Sequence, residues 1–556
     1  MSTIAAGLVL TTTSCMNLEP KDQLGDGNVW NRTEDYLNFA NQFYGWTTDF
    51  NQNVIRDGLH SDYRADILAV KASKNVFSNG TNTIPNGDSH YTDSYKRIRR
   101  CCLLLENAAN FGLQNDIKQY IGEAYFFRAY TYFNLVQAYG DVILVQKTLD
   151  VDDELMKASR NDRKEVVDAI IKDLKDAANY LGKFSEVTKG RISEEGAWAY
   201  LSRVALYEGT WQKFRGNTAD ANRYLDEAAE AAKKVIDSKT FELFTNASLG
   251  NSAYRYLFTL EAEKSNPAGV TKDANKEYIF SKLHEETLSP IGYNISYGAS
   301  PAGNDAQVSK KFADLFLCND GLPINVSGKF LGYGKITDEW QNRDNRMGQL
   351  LCPPGCNIYV SGYKAHKTWT DADEPNHANF QPTGGTGYYN WKWVGERDVT
   401  VGKESYDFPI IRYAEVLLNY AEAVFERNEA ISDADLSISI NLTRKRINPQ
   451  MPDLTNSFVA ANGLDMRTEI RRERTIELFH EGFRIDDLKR WKTAETEMPQ
   501  AFLGSKFAGG TKNEDGFYVY EAASERQWTE RNYLHPLPVD QRQLNPNLGQ
   551  NPGWAN

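Results

Sequence analysis

Long apolar runs are almost missing from this 556-residue chain. Beyond Ile4–Leu10 no stretch of about 18 apolar residues occurs, which excludes a membrane-spanning helix. Positive charge is in deficit: 63 Lys and Arg stand against 75 Asp and Glu, a net charge of -12. Such a chain repels phosphate backbones at long range, which argues against a general nucleic-acid binder. The fingerprints of common catalysts are missing too, with no nucleophile elbow and no cofactor motif. His480-Glu481 is not a zinc-protease site, because position 484 is Arg. The run Gly384-Gly385-Thr386-Gly387 lacks the Lys-Ser/Thr and the strand–helix context of a phosphate cradle. Aromatic rings, by contrast, are plentiful. The chain holds 30 Tyr and 11 Trp, many of them among turn residues.

Cysteine is sparse, at 6 residues. Ile4–Leu10 followed by Thr11-Thr12-Thr13-Ser14-Cys15 has the form of a bacterial lipoprotein signal, with Cys15 as the acylated residue. No Lys or Arg precedes Lys21, so the basic flank of such a signal is missing, and Thr12 stands where an aliphatic residue is usual. Cys101 and Cys102 lie on a predicted helix as packing, and Cys318 stands alone. Cys352-Pro-Pro-Gly-Cys356 is a tight turn that suits a small disulfide or, with His366 and His377, a zinc site; a lone C-x3-C pair does not decide between them. Asp371, Asp373 and Glu374 form an acidic turn whose spacing is not that of a calcium loop. No metal and no cofactor is expected.

Helical periodicity dominates both ends of the chain. Glu123–Tyr139 predicts a helix stopped by Gly140, and Ser94–Leu105 another, with Ser89-His90-Tyr91 just ahead of it. Ile192–Glu208, stopping at Gly209, pairs with Ala221–Ile236, whose Leu225, Ala228, Ala232 and Val235 share one face. Ile411–Arg427 and Asp433–Ile447 predict a second pair, and Ile470–Trp491 one amphipathic helix kinked at Gly482. No strict period of about 34 residues emerges, so the pairs read as degenerate tetratricopeptide-like repeats or as a generic helical bundle. From Phe244 to Phe408 the chain reads as long loops with short strands, and the tail from Tyr533 as extended. The expected fold class is mainly α: tetratricopeptide-like helix pairs as scaffold, with a loop-rich ligand-binding region containing short strands.

IRRERTIELFHEGFRIDDLKRW (Ile470–Trp491) resembles the signature helix of the SusD/RagB family of Bacteroidota outer-membrane lipoproteins. YLHPLPVDQRQLNPNLGQNPGW (Tyr533–Trp554) is similar to that family's closing stretch, with Trp554 in place of its final Tyr. Glu123–Val145, Gly190–Trp211, Phe408–Glu426 and Ile440–Arg446 match its other blocks in order. The resemblance implies four segments: 1–15 as signal with lipidated Cys15, 16–243 as an N-terminal helical region, 244–407 as a loop-rich ligand-binding insertion, and 408–556 as a C-terminal helical region and tail. It further implies a surface lipoprotein of the outer membrane that captures oligosaccharide and delivers it to a partner SusC-like TonB-dependent transporter. No enzymatic activity is implied.

Sugar rings present apolar C–H faces and hydroxyl rims, so a site for them needs flat aromatic platforms edged by acid, amide and guanidinium groups. Near the start, Trp46, Asp49, Asn51, Asp57 and Asp62 surround a loop between helical blocks. Tyr91 stands where the family often carries a stacking aromatic, with Asp62 as a hydroxyl acceptor. The middle segment adds Tyr293, Tyr297, Arg343, Tyr389 and Trp391. Asp57 and Asp62 suit turn or capping roles equally. Two rival functions stand beside glycan capture: peptide capture, as in RagB-like relatives, which needs backbone-like hydrogen bonding, and a glycosidase, which needs two carboxylates across a cleft.

Overall fold

The computed structural model describes residues 30–555, apart from 52–53, 55–57, 72–74, 302, 304, 355–384 and 398. Among them the chain is mainly helical. The scaffold is built from α1 (Thr33–Asn41), α2 (Ser89–Asn110), α3 (Lys118–Tyr139), α4 (Arg163–Tyr180), α5 (Glu194–Lys213) and α6 (Thr218–Ser238). It continues with α7 (Tyr413–Asn428), α8 (Met466–Glu477) and α9 (Arg484–Arg490). From α2 onward each helix to α8 packs on the next, so a main apolar core runs through the array, with a second, smaller one where Leu418 and Phe425 of α7 meet Ile470 of α8. Polar side chains start the helices by accepting otherwise unpaired N–H groups: Asp88 for α2, Asp162 for α4, Ser193 for α5 and Asp465 for α8.

Gly140 ends α3 at φ +72°, a conformation that glycine adopts without strain. Gly209 does not end α5, which runs on to Lys213. The glycine is there for proximity instead. A Cβ at this position would meet the Leu225 side chain at 2.9 Å and its backbone nitrogen at 3.1 Å, where α6 crosses. Gly209→Ala is expected to cost about 1–3 kcal/mol by overpacking this contact. Thermal unfolding checks it, and an unchanged melting temperature would mean that α5 and α6 separate freely.

Among the described residues, strands pair into three two-stranded antiparallel sheets. β1 (Leu68–Val70) pairs with β3 (Ala306–Val308), β2 (Tyr278–Lys282) with β4 (Phe408–Arg412), and β5 (Phe502–Leu503) with β6 (Val519–Glu521). The first ties the segment between α6 and α7 to the chain's start, the second closes that segment on itself, and the third lies within the C-terminal region.

Four further sequence expectations change. Ile470–Trp491 is two helices separated by residues 478–483, where His480 (φ +58°) and Gly482 (φ +85°) turn left-handed. The break is held from afar, because the Asp62 carboxylate accepts from the Gly482 and Arg484 backbone N–H groups at 3.2 and 2.9 Å. Asp433–Ile447 divides into Asp433–Ser437 and Ile440–Lys445, with the chain leaving helical geometry at Ser439. Tyr91 lies in the first turn of α2 and not ahead of it, since the Asp88 cap starts the helix at Ser89. The tail is not extended throughout: Val539–Leu544 is a helix, and Asn551 Nδ2 donates to the Tyr139 and His535 carbonyls.

Candidate ligand-binding face

Glu404 organises the loop that carries the two most exposed candidate rings. Its buried carboxylate accepts from the backbone N–H of Ile295 (2.8 Å) and Ser296 (3.1 Å), at the start of the helical turn Ile295–Ala299. Ile291 N–H donates to the Glu404 carbonyl and Gly292 N–H to Gly402. From the neighbouring loop, Gly395 N–H donates to Ser296 Oγ and Asn390 Nδ2 to the Ala299 carbonyl, both at 2.9 Å. Tyr293 and Tyr297 leave this pinned segment 44% and 45% exposed. Large rings held in water by a rigid backbone suit stacking, because little ordering entropy remains to be lost on binding.

The 385–397 loop brings the other rings alongside. Trp391 N–H donates to the Leu350 carbonyl, and Cys352 N–H to that of Tyr389. Both rings are largely buried. The Arg255 guanidinium lies 5.0 Å from the Trp391 ring and donates to Glu396 at 2.5 Å, which also accepts from Tyr256 Oη at 2.9 Å. Burial opposes the Arg255 charge, but Glu396 and Tyr256 outweigh it and hold the pKa above the ordinary value. No sequence signal marked this trio, since residues 255 and 396 meet only through the fold. Asp49 and Asn51 border the same loops. His284 Nε2 lies 2.8 Å from Asp49 Oδ1, Asn51 N–H donates to Val54, and Phe50 between them packs on Trp393, Tyr406 and Phe408.

The remaining candidates sit elsewhere. Trp46 packs against Phe43 and Phe127, with Arg97 beside its ring. Asp62 is 1% exposed and spends its carboxylate on the 482–484 turn; burial pushes its pKa up to about 7 despite those two donors. Tyr91 is buried between Tyr95 and Tyr139 and lines a groove of about 510 Å³ under the tail helix, away from the 291–300 and 385–397 loops. Arg343 donates to the carbonyls of Glu339, Ala313 and Phe316. Asp57, Cys15, Cys356, His366, His377, Asp371, Asp373 and Glu374 lie outside the described residues. Among the described residues no three His, Cys, Asp or Glu side chains gather as a metal would require. An interior cavity lined by His60, Asn134, Arg203, Arg474 and Asp486 measures about 90 Å³, room for a few waters but not a sugar ring.

Residues 262–554 match the model of the SusD family, and residues 30–206 match a model described as starch-binding, associating with outer membrane. The chain belongs to the SusD family. Its curated relatives include SusD-like protein P2 of Formosa agariphila, 26% identical over 458 residues, which cover 80% of this chain and 77% of that one. A SusD-like carbohydrate-binding protein from Bacteroides fragilis has a similar fold, with TM-score 0.72 at 23% identity over 93% of this chain and 99% of that one. A SusD superfamily protein from Parabacteroides distasonis superposes with TM-score 0.64 at 21% identity, covering 94% and 99%. As a SusD family member, the chain carries its most conspicuous structural departure from sequence expectation inside the signature segment, at the 478–483 break.

Proposed function

We propose that this SusD family chain is a passive glycan-binding lipoprotein of the outer-membrane surface. It captures oligosaccharide on the loop face built by residues 291–300 and 385–397 and delivers it to a SusC-like TonB-dependent transporter. Acyl chains on Cys15 anchor it. The observation that carries the reading is the pair Tyr293 and Tyr297, nearly half exposed on a segment pinned by Glu404. The family-model description and the carbohydrate-binding relative support the same ligand class. The carboxylates of this face are engaged, Glu404 by backbone N–H groups and Glu396 by Arg255 and Tyr256, which suits holding a ligand better than cutting one.

Calorimetry of the full chain against oligosaccharide and peptide panels tests the proposal. Glycan binding is expected in the micromolar to millimolar range, because stacking desolvates few groups per sugar. The double variant Tyr293→Ala, Tyr297→Ala should weaken that binding about three- to tenfold with the melting temperature unchanged. Undiminished affinity would move the site off this face, and binding of peptides alone would overturn the glycan reading.

A further inference from the structure

Asn294 stands between the two exposed rings of the ligand face, at the N-cap position of the helical turn Ile295–Ala299. An asparagine side chain at such a position ordinarily accepts from the first free backbone N–H groups of the helix. Here it makes no cap bond. Glu404 has taken over that duty from another loop, accepting from Ile295 N–H at 2.8 Å and Ser296 N–H at 3.1 Å. A carboxylate wins this competition, because a charged acceptor makes a hydrogen bond roughly twice as strong as a neutral one. Tyr406 Oη, 3.1 Å from the same carboxylate, helps to hold it in place. Asn294 serves the turn through its backbone, whose carbonyl accepts from Gly298 N–H at 3.1 Å, and its side chain is released.

The released amide is unspent. Oδ1 is buried and meets no donor, while Nδ2 is neither buried nor hydrogen-bonded among the described residues. A buried acceptor without a donor is a cost that folded chains normally remove, so its survival calls for a reason. The other small polar side chains of the 291–300 segment are engaged: Ser296 Oγ accepts from Gly395 N–H, and Ser300 Oγ donates to the Tyr297 carbonyl. Glu404 and Glu396 are committed as well, to backbone N–H groups and to Arg255 with Tyr256. Asn294 and Tyr297, three residues apart on one turn, are surface neighbours. Tyr297 is 45% exposed, and Tyr293 on the other side is 44% exposed. An uncharged N–H donor thus stands at the edge of a ring that water can reach.

We propose that Asn294 is a specificity-determining residue of this face, whose Nδ2 donates to a hydroxyl or ring oxygen of the sugar that stacks on Tyr297. The ring takes the sugar's apolar face and the amide its polar rim. The inference rests on the glycan-binding reading and adds to it the group that recognises the sugar. The test is calorimetry and thermal unfolding of the full chain, with maltoheptaose, cellohexaose and xylohexaose as ligands. Asn294→Ala should weaken the oligosaccharide that binds about three- to tenfold, with the melting temperature unchanged or raised, since it deletes an acceptor that has no donor. A helix cap behaves in the opposite way, because its loss lowers the melting temperature. Asn294→Asp keeps the shape but has no N–H, so it should weaken binding at least as much. Combined with Tyr297→Ala, Asn294→Ala should cost less than the sum of the two single losses, because both groups hold one sugar. Undiminished affinity in Asn294→Ala overturns the assignment, and so does a lowered melting temperature in that variant. Full affinity in Asn294→Asp overturns the donor role. In each of these cases, weakened binding by the Tyr293→Ala, Tyr297→Ala variant leaves the glycan face standing. Binding of none of the three oligosaccharides overturns glycan capture and the role of Asn294 together.

Discussion

Glu477→Ala is expected to destabilise the fold by about 3–5 kcal/mol, because it strips a carboxylate from a fully buried charge cluster. Glu477 stands 2.8 Å from Arg412 and 3.2 Å from both Arg346 and Arg446. Around it, Arg412 also meets Glu277 and Glu481, Arg346 meets Asp344 and Glu473, and Lys392 meets Glu481. The cluster joins the loop segment, β4 and the end of α8, so each arginine holds more than one element. Deleting one anion leaves guanidinium groups desolvated and underpaired, and that penalty exceeds the worth of any single contact. The pH dependence has a definite sign. Burial alone would raise the Glu477 pKa, but Arg446, Arg412 and Arg346 hold it down to about 2, below its ordinary 4.5. A depressed folded-state pKa gives stability that is present above about 4.5 and is lost as pH falls toward 2. Urea unfolding of both proteins should therefore show a gap at pH 7 that narrows in this window. A loss below about 1 kcal/mol would show that the cluster contributes little to stability.

Trp393→Ala should cost a similar amount, about 3–5 kcal/mol, and should also weaken ligand binding. The ring is fully buried, stacks on Phe408 at 6.0 Å, and meets Phe50 and Phe258 edge-on at 5.3 and 5.1 Å. Its Nε1 donates to the His480 carbonyl at 3.0 Å. Both backbones at this contact are left-handed, with Trp393 at φ +67° and His480 at φ +58°. For non-glycine residues such geometry costs on the order of 1 kcal/mol each and persists only where the surroundings enforce it. Trp393 therefore clamps the 385–397 loop, with Trp391 two residues away, onto the signature turn. Unfolding and calorimetry should report both losses. Trp393→Phe, which keeps a ring but not the N–H, should lie between the two. Full ligand affinity in Trp393→Ala would mean that the face needs no clamp from below.

The long helices were legible because each signal lies within its own segment. Gly140 stops α3, and the alanines of Ala221–Ile236 mark where α6 meets its neighbours, whatever happens elsewhere in the chain. The C-terminal blocks were legible for another reason: they are long runs whose residue order identifies the family. A kink at Gly482 was legible, but the full break at 478–483 was not, since a local pattern of charge pairs and apolar stripe favours continuous helix, while the groups that hold it open belong to Asp62 and Trp393. The same limit governed the site. Asp62, Tyr91 and Arg343 have the right chemistry for a sugar edge, yet their side chains are buried and held by neighbours that no spacing rule names.

By itself, then, the sequence determined the mainly α class, the order of the helical blocks and the family, all of which are carried by short-range periodicity or by contiguous residue order. Which rings face water and which carboxylates are neutralised emerged only from the tertiary structure. Exposure and ion pairing depend on residues far apart in the chain, such as Arg255 with Glu396 or Asp66 with Arg484, and packing alone brings them together.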